Sequence, residues 1–549
     1  MQLHGEPTGA TELVNALDQL GVRLVFGLPG VHNLPIWRVL AGSGIRVVGV
    51  RHEQAAVYAA DGYARATGRL GVALVTTGPG AANTLAATGE AMASGSPVLI
   101  VATDIPVALR RDGVYRGVLH ENRDQRSMFV PVTKQAHTVD QHQSVYVRAL
   151  HAGRLALTAS TGPCYLGIPT DLLTRPGAHE PEFDVDAPPP VTDAAALGKA
   201  VDMLAEAHRP VVWAGGGALR AGAGDAIGAL ASSLGAPVLT TYMGRGILPA
   251  DHPCAVPGPV HDPLVGELWD EADVVVAIGT DFDGMMTQNW ALPAPPRLIA
   301  INIDERDAGK NYVPDLVLLG DAQAVTHRLS ELVASRDGLN ALTERLATLR
   351  VTVEQQVRAD EPAAASLLEV FQRALPPEAM VVVDMCVAGY WLGGYWRVPA
   401  PRKLAYPVGW GTLGFAFPAS LGAALAGTGP VVCVCGDGGF LFACGELATV
   451  VQEQIPVTIV LVDDGGYGML RFDQLEAGDD PFGVDIVGPD LVALAASFGV
   501  HATAVDGFGA DFEGALARSV RSDAPAMIVV RAAMRPPVTT SPRWYRTRR

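Results

Sequence analysis

The sequence predicts an α/β protein made of three doubly wound domains, each built on a parallel sheet. Two observations predict this class. Short apolar segments rich in Val and Ile alternate with glycine-rich turns and helical stretches, the pattern of strands joined by crossover helices. The chain also has 549 residues, of which 49% are hydrophobic and 18% are charged, so it is a globular protein too long for one hydrophobic core.

The strand-then-helix plan repeats in three blocks, for which we predict domains at residues 1–178, 194–336 and 366–535. A Pro-rich, acidic segment at 175–193 is typical of a linker between the first two blocks. A polar helical stretch at about 337–365 leads into the third block. Each block is therefore expected to form its own sheet covered by helices on both faces.

Composition excludes several classes of protein. The formal net charge of −17 argues against a nucleic-acid-binding protein, which needs a basic surface. The 6 cysteines show no CxxC spacing, which indicates reduced thiols rather than a disulfide framework. No basic segment followed by an apolar one opens the chain, and no apolar run reaches the ~20 residues that span a bilayer. We expect a cytoplasmic protein without a membrane or nucleic-acid partner.

A single carboxylate follows an apolar strand in the third block, in the segment VVCVCGDGGFLF. Ligands of open parallel sheets bind beyond the carboxyl ends of strands, and Asp437 lies at such an end. Gly438 and Gly439 leave backbone N–H groups accessible at the expected start of a helix, which suits a phosphate. No Gly-Lys-Ser/Thr follows Gly436, so this is not a P-loop. A divalent cation held by Asp437 would meet the charge of the anion.

The next strand, in PVTIVLVDDGGYG, also ends in carboxylates. Asp464 follows Asp437 by 27 residues, which is enough for one helix and one strand. Adjacent parallel strands lie about 4.8 Å apart, so both carboxylates could reach one ion, and Mg²⁺ prefers such oxygen ligands. For either aspartate alone an acidic helix cap would be the simpler interpretation. The pair, each followed by glycine, favours a metal site.

These residues resemble the metal- and diphosphate-binding motif of thiamine diphosphate (ThDP) enzymes, in which GDG precedes a polar pair before Gly-Gly-Tyr-Gly. The resemblance implies that Asp437 and Asp464 bind Mg²⁺ through side-chain oxygens and Gly466 through its carbonyl. The cofactor-binding residues implied by the motif are Gly436, Asp437, Gly438, Gly439, Asp464, Gly466, Tyr467 and Gly468. The family usually has Asn-Asn where this chain has Asp-Asp. The added charge at Asp464 should keep the metal but weaken net binding of the cofactor.

A second motif, RHEQAA…ADGYARATG with the following TTGPGAAN, resembles the pyrimidine-binding domain of the same family. ThDP reacts through its C2 carbanion, whose formation needs a carboxyl group that hydrogen-bonds the aminopyrimidine ring in a dry pocket. The resemblance implies that Glu53 is this acid. It also implies that Gly30, Pro79 and Asn83 shape the cofactor pocket. On its own, Glu53 could merely cap the helix that follows it.

A third motif, GWGTLGFAFPASLGAALA, also resembles the family. It implies that the Gly411 carbonyl meets the amino group of the aminopyrimidine and that Leu413 supports the bent cofactor, a role compatible with a core position. The resemblance covers nearly the whole chain, in the order pyrimidine-binding, central and diphosphate-binding domain. In this family the acid and the metal site that face one cofactor belong to different subunits, which implies a homodimer or homotetramer.

Within the family, the sequence looks most like acetolactate synthase catalytic subunits, including FGLPGVHNLPIW and PVTKQAH. Two departures argue against that activity. Asp281 and Met285, in GTDFDGMMTQ, stand where the synthases have two arginines of an FAD-binding motif, so by this resemblance we expect no tightly bound FAD. Asp473, in GMLRFDQ, stands where the synthases have a Trp that selects the second oxo acid.

The segment GVLHENRDQ places His120 and Glu121 where the synthases have Phe-Gln-Glu. This pair resembles a guanidino-oxo-acid decarboxylase branch, as does GVHN, and we expect both residues to be catalytic. His120 could move protons because an unperturbed histidine has a pKa of about 6.5, although a lone histidine is more often structural. His32 and Asn33 are expected to face the substrate, and Asp473 could pair with a cationic substrate tail.

Three functions compete. The first, which we favour, is a ThDP- and Mg²⁺-dependent lyase or carboligase that decarboxylates a 2-oxo acid and then protonates or ligates the product. The second is an acetolactate synthase-type transferase. The third is a non-catalytic ThDP-binding paralogue, which only the aspartate at Asp464 supports and which the intact Glu53 argues against. An oxalyl-CoA-type decarboxylase is a further option, but the chain has no basic nucleotide-binding segment beyond a short arginine-rich tail.

Overall fold

Three parallel sheets form the framework of the protein, as the sequence predicts. The computed structural model describes residues 7–111, 113–178, 180–182 and 190–540, so part of the predicted linker lies outside the described residues. All strand pairs within the sheets are parallel. None of the helices in these ranges combines the length and apolar character needed to cross a bilayer.

The first domain has a six-stranded sheet with the order β2-β1-β3-β4-β6-β5. Its strands are β1 (Leu24–Gly27), β2 (Arg46–Gly49), β3 (Gly71–Val75), β4 (Val98–Asp104), β5 (Gln135–Thr138) and β6 (Cys164–Pro169). Its helices are α1 (Gly9–Gln19), α2 (Leu34–Leu40), α3 (Glu53–Thr67), α4 (Pro79–Ala82), α5 (Leu85–Ala93), α6 (Gln125–Phe129) and α7 (Val145–Leu157). Strands β3, β4 and β6 are buried along their whole length, which explains their continuous apolar sequences.

The central domain has a five-stranded sheet with the order β11-β10-β9-β7-β8. Its strands are β7 (Pro210–Ala214), β8 (Val238–Thr240), β9 (Val274–Ile278), β10 (Leu298–Asn302) and β11 (Leu316–Leu319). Its helices are α8 (Ala194–Glu206), α9 (Gly216–Arg220), α10 (Gly224–Leu234), α11 (Pro263–Asp270), α12 (Glu305–Gly309) and α13 (Ala322–Leu332). Helix α14 (Leu339–Asp360) then leads to the third domain and ends just before Pro362.

The third domain has a six-stranded sheet with the order β13-β12-β14-β15-β17-β16. Its strands are β12 (Met380–Val383), β13 (Leu404–Ala405), β14 (Val431–Gly436), β15 (Val457–Asp463), β16 (His501–Asp506) and β17 (Ala526–Arg531). Its helices are α15 (Pro362–Ala374), α16 (Val387–Tyr395), α17 (Ala416–Leu425), α18 (Asp437–Leu441), α19 (Leu447–Glu453), α20 (Gly468–Ala477), α21 (Leu491–Phe498) and α22 (Ala510–Ser519).

Helix α3 of the first domain packs closely against α17 of the third domain. A Cβ at Gly62 would lie 1.9 Å from the carbonyl oxygen of Ala419, and a Cβ at Gly422 would lie 1.8 Å from that of Ala59. Only glycine permits this approach of the two backbones. The contact joins the helix that begins at Glu53 to the helix that follows the predicted cofactor loop.

A buried arginine crosses the same interface. Arg65 bonds both carboxylate oxygens of Asp61 at 2.8 Å, Glu90 at 2.9 Å and the carbonyl oxygen of Tyr406 at 3.0 Å. Glu90 in turn accepts a hydrogen bond from the backbone N–H of Trp410 at 3.0 Å. This network ties α3 and α5 to the segment that carries Gly411 and Leu413, so the position of that segment depends on the first domain.

Candidate active site

The two aspartates predicted as metal ligands lie at the ends of neighbouring strands. β14 pairs with β15 so that Gly436 lies opposite Val462, and Asp437 and Asp464 follow at the same edge of the sheet. Burial, and then the charge of Asp437, raise the pKa of Asp464 to about 6. Burial also raises the pKa of Asp437, with a second contribution from Asp463. The two carboxylates are close enough to repel one another, which a cation between them would relieve.

The glycines of this edge leave room for the carboxylates. Hydrogen bonding from the backbone N–H of Gly466 opposes the pKa shift of both aspartates, so Gly466 lies beside the pair. A Cβ at Gly468 would lie 2.1 Å from Oδ2 of Asp464, so any other residue there would displace that carboxylate. The ring of Tyr467 packs against Gly438, at the start of α18, while Gly439 follows in the same turn.

These residues fit a divalent cation. Asp437 is 7% exposed, and its Oδ1 is buried without a hydrogen-bond partner among the described residues. A buried carboxylate oxygen without a partner is costly unless an ion or water satisfies it. The described ranges contain no group of three or more His, Cys, Asp or Glu side chains placed to hold a metal. A cation here would therefore rely on two carboxylates completed by backbone and ligand oxygens, as Mg²⁺ allows.

The predicted cofactor loop is held by a carboxylate that the sequence reasoning missed. Asp384 follows β12, is 1% exposed, and accepts hydrogen bonds from the backbone N–H groups of Met385 at 2.9 Å and Gly414 at 3.0 Å. Burial raises the pKa of Asp384 to about 6, against these hydrogen bonds. Gly411 has a φ of 69° and is exposed, while Leu413 is half-buried. The signal that could have identified Asp384 was a carboxylate at a strand end, in AMVVVDM.

Glu53 begins α3 but does not cap it. The cap is His52, whose Nδ1 accepts a hydrogen bond from the N–H of Gln54 at 3.1 Å. Oε2 of Glu53 instead accepts a hydrogen bond from Nδ2 of Asn83 at 3.0 Å. Oε1 lies 3.4 Å from the position a Cβ would take on Gly80, in the turn that begins with exposed Pro79. The acid therefore contacts the predicted pocket segment at both Gly80 and Asn83, which the capping interpretation does not explain.

Two histidines adjoin this turn. The backbone carbonyl of His120 lies against Gly78, where a Cβ would approach it to 2.4 Å, and His120 adopts a φ of 65°. The rings of His32 and His120 meet edge to face with centroids 5.0 Å apart. Nδ1 of each is buried without a partner among the described residues. Burial, and then His120, lower the pKa of His32. An imidazole pair beside the turn that Glu53 contacts suits proton transfer.

Two predicted site residues form hydrogen bonds within their own loops. Asn33 is fully buried, and its amide accepts from the N–H of Gly30 at 2.8 Å and donates to the carbonyl of Leu28 at 2.9 Å, so it holds its own turn. Oε2 of Glu121 accepts from the N–H groups of Arg116 and Val118 at 3.0 and 2.9 Å. This carboxylate shapes the loop that carries His120, and its catalytic role stays a prediction.

Asp473 is exposed on α20, a helix without buried residues. Its charge contributes to raising the pKa of Tyr390, after burial, Cys386 and Asp384. Asp384, which supports the cofactor loop, contributes to the same shift, so both carboxylates act electrostatically on Tyr390. The exposed carboxylate of Asp473 can meet a cation that approaches from solvent.

The central domain uses its glycine-rich turn for packing. The backbone carbonyl of Gly279 lies 2.4 Å from a Cβ built on Gly215 and 2.8 Å from one built on Gly217, so the turn closes against β9. Asp281 pairs with Lys310 at 2.5 Å, and Met285 is 52% exposed. The absence of tightly bound FAD stays a prediction.

Two further residues hold segments of the candidate active site in place, and neither was predicted. Gln125 is buried, accepts from the N–H of Gly78 at 2.7 Å and donates to the carbonyl of Thr103 at 2.8 Å. Glu446 of the third domain is 1% exposed, and its Oε1 accepts from the N–H groups of Arg51 and His52 at 2.9 and 3.1 Å. Glu446 thus fixes the two residues that precede Glu53, from a different domain.

Three family models of thiamine pyrophosphate enzymes match this chain. They describe the N-terminal TPP binding domain at residues 7–128, the central domain at 197–329 and the C-terminal TPP binding domain at 384–530. Together they cover most of the sequence, and each match falls within one of the three sheet domains.

Curated proteins are similar along most of the chain. A probable 2-ketoarginine decarboxylase of Pseudomonas aeruginosa is 36% identical over 515 residues, which cover 91% of this chain and 89% of that protein. A probable acetolactate synthase large subunit of Methanocaldococcus jannaschii is 31% identical over 523 residues, covering 90% and 87%. The solved structure of a candidate thiamin diphosphate-dependent enzyme from Mycobacterium smegmatis has a TM-score of 0.80 at 24% identity, covers 96% of this chain and 100% of that chain, and shares its fold.

Proposed function

Because this chain belongs to the thiamine pyrophosphate enzyme family, as an enzyme of its decarboxylase and acetolactate synthase-like group, we propose that it catalyses the Mg²⁺-dependent decarboxylation of a 2-oxo acid. The observation that carries the proposal is the pair Asp437 and Asp464 beside Gly466, with an unpartnered buried oxygen on Asp437. The carbanion equivalent formed by decarboxylation would be protonated or joined to a second carbonyl compound.

Asp437, Asp464 and the carbonyl of Gly466 would hold Mg²⁺, which neutralises the diphosphate of the cofactor. ThDP supplies the carbanion chemistry of the reaction when it is bound. Glu53 would hold a proton at the pyrimidine ring, and its hydrogen bond from Asn83 orients the carboxylate. His120 and His32 would move protons at the substrate carbon, because their rings meet beside the turn that Glu53 contacts.

The complete site is proposed to need two subunits, with the first domain of one facing the third domain of the other in a homodimer or homotetramer. Large exposed apolar side chains beside the candidate site, in the first domain and in the third domain, support this arrangement. Trp410, Phe442 and Leu470 are 54%, 58% and 52% exposed in the third domain, and Val31 is 60% exposed next to His32. Exposed apolar residues concentrated around a polar site indicate a surface that another chain covers.

The substrate is proposed to be a 2-oxo acid with a cationic tail. Asp473 supports this choice because it is an exposed carboxylate on α20 and, by the resemblance, stands where the synthases have a Trp. The similarity to a probable 2-ketoarginine decarboxylase supports it independently. An acetolactate synthase-type transfer is the second candidate, which the identity to synthase large subunits favours.

A 2-oxo acid panel with ThDP and Mg²⁺ tests the function, with carbon dioxide release and ligated products measured together. We expect 5-guanidino-2-oxopentanoate to be decarboxylated faster than pyruvate. Asp473→Asn should reduce kcat/KM for the cationic acid about two- to fivefold, as expected for an exposed ion pair, and leave pyruvate unchanged. Asp511→Asn, which removes an exposed charge elsewhere in the domain, is the control. Acetolactate as the main product would favour the transferase, and no carbon dioxide from any acid would reject decarboxylation.

We further propose a cytoplasmic location. All 6 cysteines are free thiols, which supports a reducing compartment. Quantitative thiol labelling of the protein isolated under alkylating conditions tests this, and disulfide-linked cysteines would contradict it.

A further inference from the structure

A cavity rich in arginine lies where the central domain, α14 and the third domain meet. Its lining includes Arg245 after β8, Arg350 of α14, and Trp396 and Arg397 after α16. Its volume is about 50 Å³. A water molecule occupies roughly 10–15 Å³ on this measure, so the space accommodates a group of three to five heavy atoms. We refer to this space as the arginine cavity.

The charge of the arginine cavity is unbalanced. Three guanidinium groups line it, and no carboxylate of the described residues does so. Burial lowers the pKa of Arg350, and the charge of Arg397 lowers it further. Glu354 and Asp251 offset this only in part. Burial also lowers the pKa of Arg245 to about 10. Cations gathered in a chain with a formal net charge of −17 need an explanation.

Two donors in the cavity wall have no acceptor. Nε of Arg397 and the indole N–H of Trp396 are buried without a hydrogen-bond partner among the described residues. Arg245 donates to the carbonyl of Trp396, and Arg350 donates to the carbonyl of Ala250 at 3.3 Å, so the protein holds both side chains in place. Buried N–H groups of this kind are normally satisfied.

The arginine cavity is separate from the candidate active site. Asp384 and Met385, which support the cofactor loop, precede α16, whereas Trp396 and Arg397 follow it. A helix of this length spans about 13 Å, so the two sites lie at opposite ends of α16. The diphosphate of a cofactor bound at Asp437 therefore does not fill the cavity.

We propose that the arginine cavity binds a small multivalent oxyanion of the size of inorganic phosphate, held by Arg245, Arg350 and Arg397 with the indole N–H of Trp396. Guanidinium groups bind phosphate oxygens with paired hydrogen bonds, and several converging arginines are typical of such sites. The volume matches a tetrahedral oxyanion, and the unpartnered donors supply its hydrogen bonds. Phosphate alone and the terminal phosphate of a larger molecule share this chemistry.

Isothermal titration of the holoenzyme with inorganic phosphate tests the proposal, because bound ThDP and Mg²⁺ then fill the diphosphate site. We expect saturable binding of one phosphate per chain. Arg397→Gln and Arg350→Gln should each weaken it about tenfold or more, the effect of losing a hydrogen bond to a charged group. Arg345→Gln should bind like the wild type, because Arg345 lies on the same helix but pairs with Glu271 at the surface.

Arg397→Lys, which keeps the charge but loses the paired geometry, should bind with intermediate affinity. If circular dichroism shows that Arg397→Gln does not fold, Arg397→Lys takes its place in the test. Absence of saturable phosphate binding by the wild type would overturn the proposal. So would unchanged affinity in Arg350→Gln or Arg397→Lys. A nucleotide that binds more tightly than phosphate, with the same sensitivity to these variants, would identify the larger source of the anion and support the site.

Discussion

Replacing Arg65 with methionine should destabilise the protein at the contact between the first and third domains. The change keeps most of the side-chain volume but removes the charge. It leaves the carboxylates of Asp61 and Glu90, both 0% exposed, without their cation and frees the carbonyl of Tyr406. Removing one partner from a buried ion pair costs about 3–5 kcal/mol, because the other charge stays buried.

The loss of stability in Arg65→Met should depend on pH through Glu90. Burial raises the pKa of Glu90, and the charge of Arg65 opposes that shift. Without Arg65 the folded-state pKa of Glu90 rises further above its unfolded value, so the folded state binds the proton more tightly than the unfolded state. Stability of the variant then increases as the pH falls from neutral towards the unfolded pKa, and its difference from the wild type shrinks.

Equilibrium urea unfolding of both proteins between neutral and mildly acidic pH measures this difference. Arg69→Met, which removes an exposed arginine just beyond the same helix, is the matched control and should change stability by less than about 0.5 kcal/mol. A deficit of Arg65→Met no larger than that of the control would refute the reasoning. A deficit that grows on acidification would refute the assignment to Glu90.

Three further outcomes are expected at the active site. Glu53→Gln should lower kcat about 10²–10⁴-fold while ThDP affinity by titration calorimetry stays close to the wild type, and turnover near the wild-type rate would contradict its role. Asp464→Asn should bind ThDP roughly fivefold more tightly at saturating Mg²⁺, because one negative charge beside the diphosphate is removed; weaker binding would contradict this. Glu446→Ala should lower the free energy of unfolding by about 3 kcal/mol and lower kcat, because the hydrogen bonds to Arg51, His52 and Thr449 are lost. Glu446→Gln should retain most of the stability and most of kcat. Equal effects of the two variants would contradict a hydrogen-bonding role.

The sequence predicted those parts of the fold and site that depend on local pattern. Apolar strands ending in Gly-Asp-Gly and Asp-Asp-Gly-Gly place Asp437 and Asp464 at one edge, since parallel strands share the direction of their carboxyl ends. The sequence predicted the helix starting at Glu53 in the same way, because an Ala-rich segment follows a strand.

Other features depend on contacts between residues that are distant in the sequence. Glu446 bonds residues 394 and 395 positions away, and no local pattern indicates such a partner. Asn33 was predicted to face the substrate and Glu121 to be catalytic, and the sequence did not show that backbone N–H groups of their own loops donate hydrogen bonds to both side chains. Short polar side chains near turns compete for such local bonds, and the sequence does not show which bond prevails.

Mixing two inactive variants tests the central claim that one cofactor is served by two chains. Glu53→Gln and Asp437→Ala each remove one half of the site. A dimer of one chain of each kind has one site with both halves intact. After co-refolding at equal amounts, about one quarter of the wild-type activity should return, since about half of the dimers are mixed and each has one working site. Activity that stays at the level of the separate variants, with mixed dimers present by mass spectrometry, would contradict a shared site.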